Sequence, residues 1–372
     1  MPVRIPIAVL NNHVFVRVCH GSDTLQFILD TGSGSSLFDL ATARRLGVGL
    51  GAPIQAQGAG AGSANGALVY GDSVVVPEAG VAVPINAAIP LTAISTAEGR
   101  PITGVLGYNF IARFVLAIDY ERRELRLYNR DTFQYDGPGM TVPIRLKHNQ
   151  PQVNADIGLA DGGLVHGKFV VDVGSSLALS LTKPLVDVNH LRTRVGHTVM
   201  GPGGRGVGGS ASAELGRVET LRFGSYVLRE PVSHLYGDFA GVFSTGAFWD
   251  GDIGGDILRR FTVIFDYGRE RMILEPNDSL RAPFETDMSG VRLATDSTFA
   301  RVVVTNVQPG TPAAEAGLAV ADIVTFIDGN AMTAAALPAL RSRLRRDHEA
   351  VELTVSRHGL DTVIRLKTRR LI

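Results

Sequence analysis

A single cysteine, Cys19, in 372 residues leaves no intrachain disulfide to form and no Cys₄ or Cys₂His₂ zinc site to build. No apolar run approaches the roughly 18 residues that a membrane-spanning helix needs. Neither sign of charge is in excess. The 36 Lys and Arg balance 36 Asp and Glu, so nothing in the charge favours nucleic acid or an anionic membrane, both of which need a basic surface. The nine histidines include no His-x-x-x-His pair, and no Gly-x-Ser-x-Gly elbow is present. Gly201–Gly206, GPGGRG, satisfies G-x-G-x-x-G, but Gly and Ser follow it where a dinucleotide site needs a helix to open. The opening MPVRIPIAVL carries one Arg and an apolar stretch broken by Pro6, which suits a strand better than an export signal.

What is present is globular. Hydrophobic residues make up 45% and charged residues 19%, and the length is enough for two or three domains. The 43 glycines among many Val, Ile and Leu predict β-rich structure with tight turns. A repeat runs through the chain. Gly104–Leu127, GVLGYNFIARFVLAIDYERRELRL, aligns with Gly251–Leu274, GDIGGDILRRFTVIFDYGRERMIL, at a shift of 251−104 = 147. Each copy predicts a Gly turn, a short helix ending near an Arg, a strand, a charged turn and a second strand. Upstream, Leu25–Phe38, LQFILDTGSGSSLF, resembles Gly167–Leu181, GKFVVDVGSSLALSL, at a shift of 172−30 = 142. Two related halves are therefore expected, 1–135 and 139–282, with a small insertion in the second. Each carries a Gly-rich stretch suited to a mobile hairpin tip: Gln55–Gly66 with Gly58, Gly60 and Gly62, and Met200–Gly209 with Gly201, Gly203 and Gly206.

The chemistry concentrates in Phe27-Ile28-Leu29-Asp30-Thr31-Gly32-Ser33 and its counterpart Phe169-Val170-Val171-Asp172-Val173-Gly174-Ser175. In each, an apolar strand delivers a carboxylate into a turn of small residues. One Asp per half is what a carboxylate pair requires. Two carboxyls a few ångströms apart share one proton, and the ionised member can activate a water.

These motifs resemble those of the pepsin/retropepsin aspartic proteases, and more closely the bacterial retropepsin-like proteins with a C-terminal PDZ domain. In that superfamily each lobe has a strand leading to Asp-Thr/Ser-Gly, a Gly-containing flap, and an apolar-apolar-Gly turn before a helix. Val105-Leu106-Gly107 and Asp252-Ile253-Gly254 take the last place. The resemblance implies a mostly β fold of two pseudo-symmetric lobes followed by a small α/β PDZ domain. It implies an aspartic endopeptidase acting on extended peptides, with Asp30 and Asp172 catalytic and no cofactor or metal. Thr31, Gly32, Ser33, Gly174 and Ser175 would support the pair, the two serines by bonding its carboxylates, and the Gly-rich stretches would be flaps. Both aspartates come from one chain, so a dimer is not required. The resemblance favours a periplasmic or secreted protein, and the sequence leaves a cytoplasmic one open.

Two positions depart from the pattern. Val173 lacks the hydroxyl of the usual Thr or Ser, and Asp252 puts a charge where the family prefers an apolar residue. Both fall in the second half. They motivate an alternative, a catalytically inactive protease-like scaffold acting as a peptide-binding adaptor.

Beyond Pro283 the repeat stops. Val302-Val303-Val304 and Val351–Val355 predict strands, and Ala334–Arg346 predicts a helix with Leu337, Leu340 and Leu344 on one face. Val307–Leu318, VQPGTPAAEAGL, followed by Asp322-Ile323-Val324, is similar to bacterial PDZ domains, which sets a third domain at 288–372. Thr311 suits an N-cap and Pro312 the first helical position. The resemblance implies that Ser289-Gly290-Val291-Arg292-Leu293 forms the carboxylate loop and pairing strand, and that the groove takes a peptide by strand addition.

Overall fold

Val14, Val16 and Val18 point one way from the strand His13–His20 and are fully buried in the main core, while Phe15 points the other way into a separate apolar cluster. That two-faced strand sets the plan of the first half. The computed structural model of the chain describes residues 1–238, 240–246 and 248–372 and is mostly β, with a PDZ domain at its C-terminus. His13–His20 pairs antiparallel with Asp23–Leu29, whose end carries Asp30. Gly104–Leu106 runs parallel to Asp23–Leu29 and antiparallel to Leu37–Asp39. Leu37–Asp39 runs parallel to Ala87–Ile89, and that strand meets the hairpin of Leu50–Gln57 and Ser63–Val69.

The second half repeats every step. Gly251–Gly254 runs parallel to Leu164–Asp172 and antiparallel to Leu179–Leu181. Leu179–Leu181 is parallel to Val232–Tyr236, which meets the hairpin of Val199–Gly206 and Gly209–Arg217. So Gly201–Gly206 lies in a hairpin strand, with no helix after it.

The two halves are not separate in space. Val115–Asp119 pairs with Phe261–Asp266, Leu116 opposite Phe265, inside a sheet that also takes in Val3–Leu10 and Met140–Pro143. One apolar core, including Phe27, Phe110, Phe169 and Phe265, runs through both. Residues 288–372 have their own six-stranded sheet and their own core around Val304, Leu337, Leu340 and Leu353. The helix expected at 334–346 is shorter, a 3₁₀ turn Ala334–Ala336 followed by an α-helix Leu337–Arg343. Pro338 has no N–H to give, which suits a helix's first turn but not its interior, so the α-helix starts there. Thr311 does precede the helix Pro312–Glu315, but its hydroxyl donates back to the Gln308 carbonyl at 2.6 Å and caps nothing.

Arg260, fully buried, ties the second half to the segment leading into the PDZ domain. Its guanidinium donates to the carbonyls of Asp256 (3.0 Å), Ser279 (3.2 Å) and Pro283 (3.2 Å) and stacks 3.5 Å from the Phe284 ring centroid. Removing it leaves several buried carbonyls unpaired. Arg260→Ala should therefore lower stability to chemical denaturation by about 3 kcal/mol or more. An unfolding midpoint equal to wild type would show that this anchor carries no stability.

Candidate active site

Asp30 and Asp172 leave their strands in matching turns. The Asp30 N–H donates to the Leu106 carbonyl at 2.9 Å, and Ser33 N–H closes the turn onto the Asp30 carbonyl at 3.4 Å. In the other half Ser175 N–H closes onto the Asp172 carbonyl at 3.3 Å. The turns interlock. A Cβ on Gly32 would stand 2.8 Å from the Asp172 carboxyl, and one on Gly174 would collide with the Asp30 carboxyl. Only glycine lets each turn approach the opposite aspartate so closely.

The turns are bonded beneath the carboxyls from one side. Buried Thr31 donates its hydroxyl to the Val171 carbonyl (2.6 Å) and accepts from the Val173 N–H (2.9 Å). Val173 is fully buried and returns no such bonds. The missing hydroxyl thus removes half of a reciprocal arrangement, and Thr31 supplies the other half alone.

Two tight turns that the sequence analysis did not single out brace the site. Asn11-Asn12 and His148-Asn149 both adopt left-handed backbone, with φ of 47 and 68° and of 52 and 64°. Asn12 donates to the Ser176 carbonyl at 2.8 Å and Asn149 to the Gly34 carbonyl at 3.2 Å, each across to the other half. The next residues are His13 and Gln150. Gln150 donates to the Gly32 carbonyl at 2.5 Å, while buried His13 sits beside Gly174 and Asp172 and pairs with buried Glu98 at 3.4 Å. Spacing hid the match: 172−150 = 22 residues against 30−13 = 17.

Burial and the neighbouring Asp172 charge hold the Asp30 carboxyl well above the usual carboxylate range. Burial also raises Asp172, but the Gly174 N–H at 2.8 Å, the Asp30 hydrogen bond and the His13 charge draw it back. Burial alone would lower His13, and Glu98 more than reverses that. The surroundings of the two carboxyls thus differ in the sense that favours the protonated form of Asp30 over that of Asp172.

The two serines do not do what the resemblance implies. Ser33 donates its hydroxyl to the Ser35 carbonyl at 2.8 Å, satisfied within its own turn. The Ser175 hydroxyl lies against Asp252. Ser33→Ala should accordingly leave the pH dependence of activity in place; a shift of its limbs would put that hydroxyl on Asp30.

The glycine-rich hairpins meet over the aspartates. Gly60 N–H donates to the Val207 carbonyl (3.0 Å), Gly62 N–H to Gly208 (3.0 Å), and Val242 N–H to Gly58 (3.1 Å), while Gly206 packs on Ala59. Gly203 lines the cavity below and accepts from the Tyr236 hydroxyl. Gly201 lies further back, against Leu215. The enclosed cleft has a volume of about 640 Å³ and contains both aspartates. Among the described residues no cluster of three or more His, Cys, Asp or Glu is arranged to hold a metal ion, and no helix is long and apolar enough to cross a membrane.

The PDZ strand Val291–Thr295 is at a sheet edge but is not free. The helix Thr92–Glu98 packs against it, and Thr295 donates to the Thr96 carbonyl at 3.3 Å. Arg341 joins the Ala97 and Leu293 carbonyls at 2.5 and 2.7 Å. Arg292 reaches the Pro202 carbonyl at 3.4 Å, and Arg205 reaches Thr305 at 3.1 Å, so this domain grips the second hairpin. The N–H groups of Ser289 and Gly290 already bind a carboxylate, that of Asp287, at 3.2 and 2.6 Å.

Comparison with known families agrees with this geometry. Residues 14–110 match the family model described as aspartyl protease, and residues 303–357 match that described as PDZ domain. No curated protein matches the chain. The first match spans Asp30-Thr31-Gly32, the first hairpin and Val105-Leu106-Gly107, and ends before the second half. Asp172 therefore stands on the internal repeat and on its contact with Gly32.

Thr31 is the residue on which the interlock turns. Thr31→Val leaves the Val171 carbonyl and Val173 N–H buried and unpaired, at a cost of about 1–3 kcal/mol. Val173→Thr places a hydroxyl at the mirror position, where the repeat would turn it toward the Leu29 carbonyl and Thr31 N–H, and a bond made there should gain about 1 kcal/mol. Denaturant melts of the two variants should move in opposite directions. Movement in the same direction would contradict a one-sided interlock.

Proposed function

We propose that the chain is an aspartic endopeptidase whose PDZ domain regulates access to the cleft. The observation that carries this is the mutual contact of Gly32 with the Asp172 carboxyl and of Gly174 with the Asp30 carboxyl under two closed hairpins. That arrangement supports peptide hydrolysis without a nucleophilic side chain. A water between the carboxyls gives its proton to ionised Asp172, and its oxygen attacks the peptide carbonyl carbon. Protonated Asp30 gives its proton to the carbonyl oxygen, forming a gem-diol. A proton from Asp172 then reaches the amide nitrogen, one gem-diol hydroxyl returns its proton to Asp30, and the C–N bond breaks. The acid and base roles follow from surroundings: His13, paired with Glu98, favours the ionised form of Asp172.

A substrate reaches the water only when the bonds between the hairpin tips open. Arg292 and Arg205 fasten the second hairpin to the PDZ domain, which supports a role for that domain in opening. With Asp287 in its loop and the helix Thr92–Glu98 against its strand, the groove is engaged within the chain. An inactive scaffold is the weaker alternative, because Thr31 still bonds the two turns beneath the carboxyls although Val173 does not.

The test is cleavage of an unfolded protein such as reduced casein. Asp30→Asn and Asp172→Asn should each lower turnover by about 10²–10⁴-fold. Activity should be bell-shaped in pH. Its acid limb reports ionisation of Asp172, and its basic limb reports proton loss from Asp30, above the usual carboxylate range. His13→Gln, which copies Gln150, removes a positive charge beside Asp172. The Asp172 pKa must then rise and carry the acid limb upward. Full turnover in Asp172→Asn would refute the two-aspartate mechanism.

A further inference from the structure

The internal repeat sets Asp252 in the second half where Val105 stands in the first, each on the strand beside an aspartate and each lining the cleft. Their surroundings differ. Val105 belongs to an apolar wall with Ile28, Ile89, Leu91 and Ile102. Asp252 shares its wall with Ser180 and the aromatic group Tyr236, Phe243 and Trp249. Phe243 stacks 4.3 Å from Tyr236 and meets Trp249 edge-on at 5.1 Å. Asp252 is 5% exposed, and its Oδ1 has no hydrogen-bond partner among the described residues, nor does Ser180 Oγ. None of the ion pairs among the described residues involves Asp252. Once ionised, a buried acid beside the like charge of Asp172 is costly unless a cation joins it.

We propose that Asp252 is the floor of a substrate subsite for a lysine or arginine side chain, facing an apolar subsite around Val105 across the cleaved bond. This rests on the proteolytic function above and gives it a substrate class: peptides with an apolar and a basic residue flanking the scissile bond. The aliphatic stem of the basic side chain lies along the aromatic wall, and its charged head meets the carboxylate. Burial and the Asp172 charge push the empty Asp252 carboxyl up to about 7. A bound cation favours the ionised form, so preference for a basic side chain must rise with pH through that region.

The experiment uses the full chain and quenched-fluorescent dodecapeptides of one scaffold. Leu stands on one side of the central bond and Lys, norleucine or Glu on the other, in both orders. Products are located by mass. Lys should exceed norleucine in kcat/KM by at least about tenfold at pH 7.5 in one of the two orders. The ratio should shrink at pH 5 and collapse toward one in Asp252→Asn. Asp252→Val, which copies Val105, makes the same comparison if the first variant does not fold. A parallel arm measures anisotropy of the labelled peptides on Asp30→Asn, where Lys should bind more tightly than norleucine until Asp252→Asn is added. Equal cleavage of Lys and norleucine peptides by the wild type overturns the subsite and leaves the protease standing. Selective binding of Lys with no cleavage of any peptide by the wild type upholds the subsite and overturns the protease.

Discussion

Two carboxyls are held face to face by two turns that can approach only because each presents a glycine to the other's aspartate. Everything near the site serves that approach. The strands Asp23–Leu29 and Leu164–Asp172 aim the carboxyls, and the parallel strands Gly104–Leu106 and Gly251–Gly254 fix the ends from which they project. Thr31 bonds the turns from below, Asn12 and Asn149 brace them from the sides, and the hairpin tips close above. Burying two acids together is unfavourable unless one keeps its proton, so the packing that makes the fold also perturbs the titration of the pair.

The halves share a plan but not an environment. His13 and Gln150 occupy matching positions, yet only His13 can carry charge, and the buried Glu98 beside it favours that charged form. Val105 and Asp252 match as well, and one is apolar where the other is an acid. The first difference gives the two aspartates unlike surroundings; the second gives the cleft two unlike walls. Val173 is a third break in symmetry, absorbed by a single hydroxyl on Thr31. The PDZ domain adds an asymmetry of its own, because it holds the second hairpin and the helix Thr92–Glu98.

Local sequence revealed the parts that local physics determines. A strand running into Asp-x-Gly, repeated, picked out both aspartates, and the valine-rich runs at 302–304 and 351–355 picked out two of the third domain's strands, Val302–Val307 and Ala350–Arg357. The Leu337, Leu340 and Leu344 stripe is buried as its spacing required, although Pro338 shortened the helix. Contacts made at a distance left no such trace. Nothing in the sequence near Leu116 announces its pairing with Phe265, which brings Met140–Pro143, Phe261–Asp266 and Arg271–Pro276 of the second half into the sheet of the first. The bracing turns were hidden by five extra residues in the second half. The destination of a hydroxyl was equally invisible: Ser33 satisfies itself within its own turn, and Asp287 fills the loop that the resemblance reserved for a peptide carboxylate.

The shared proton can be observed without any substrate. Carbon-13 NMR of the aspartate carboxyls in the intact chain, assigned with Asp30→Asn and Asp172→Asn, follows both groups through pH. The account predicts that Asp30 keeps its proton well above the ordinary aspartate value of about 3.9 while Asp172 ionises first. It also predicts that replacing either residue changes the titration of the other. Two independent titrations near the ordinary value, each indifferent to loss of its partner, would contradict it.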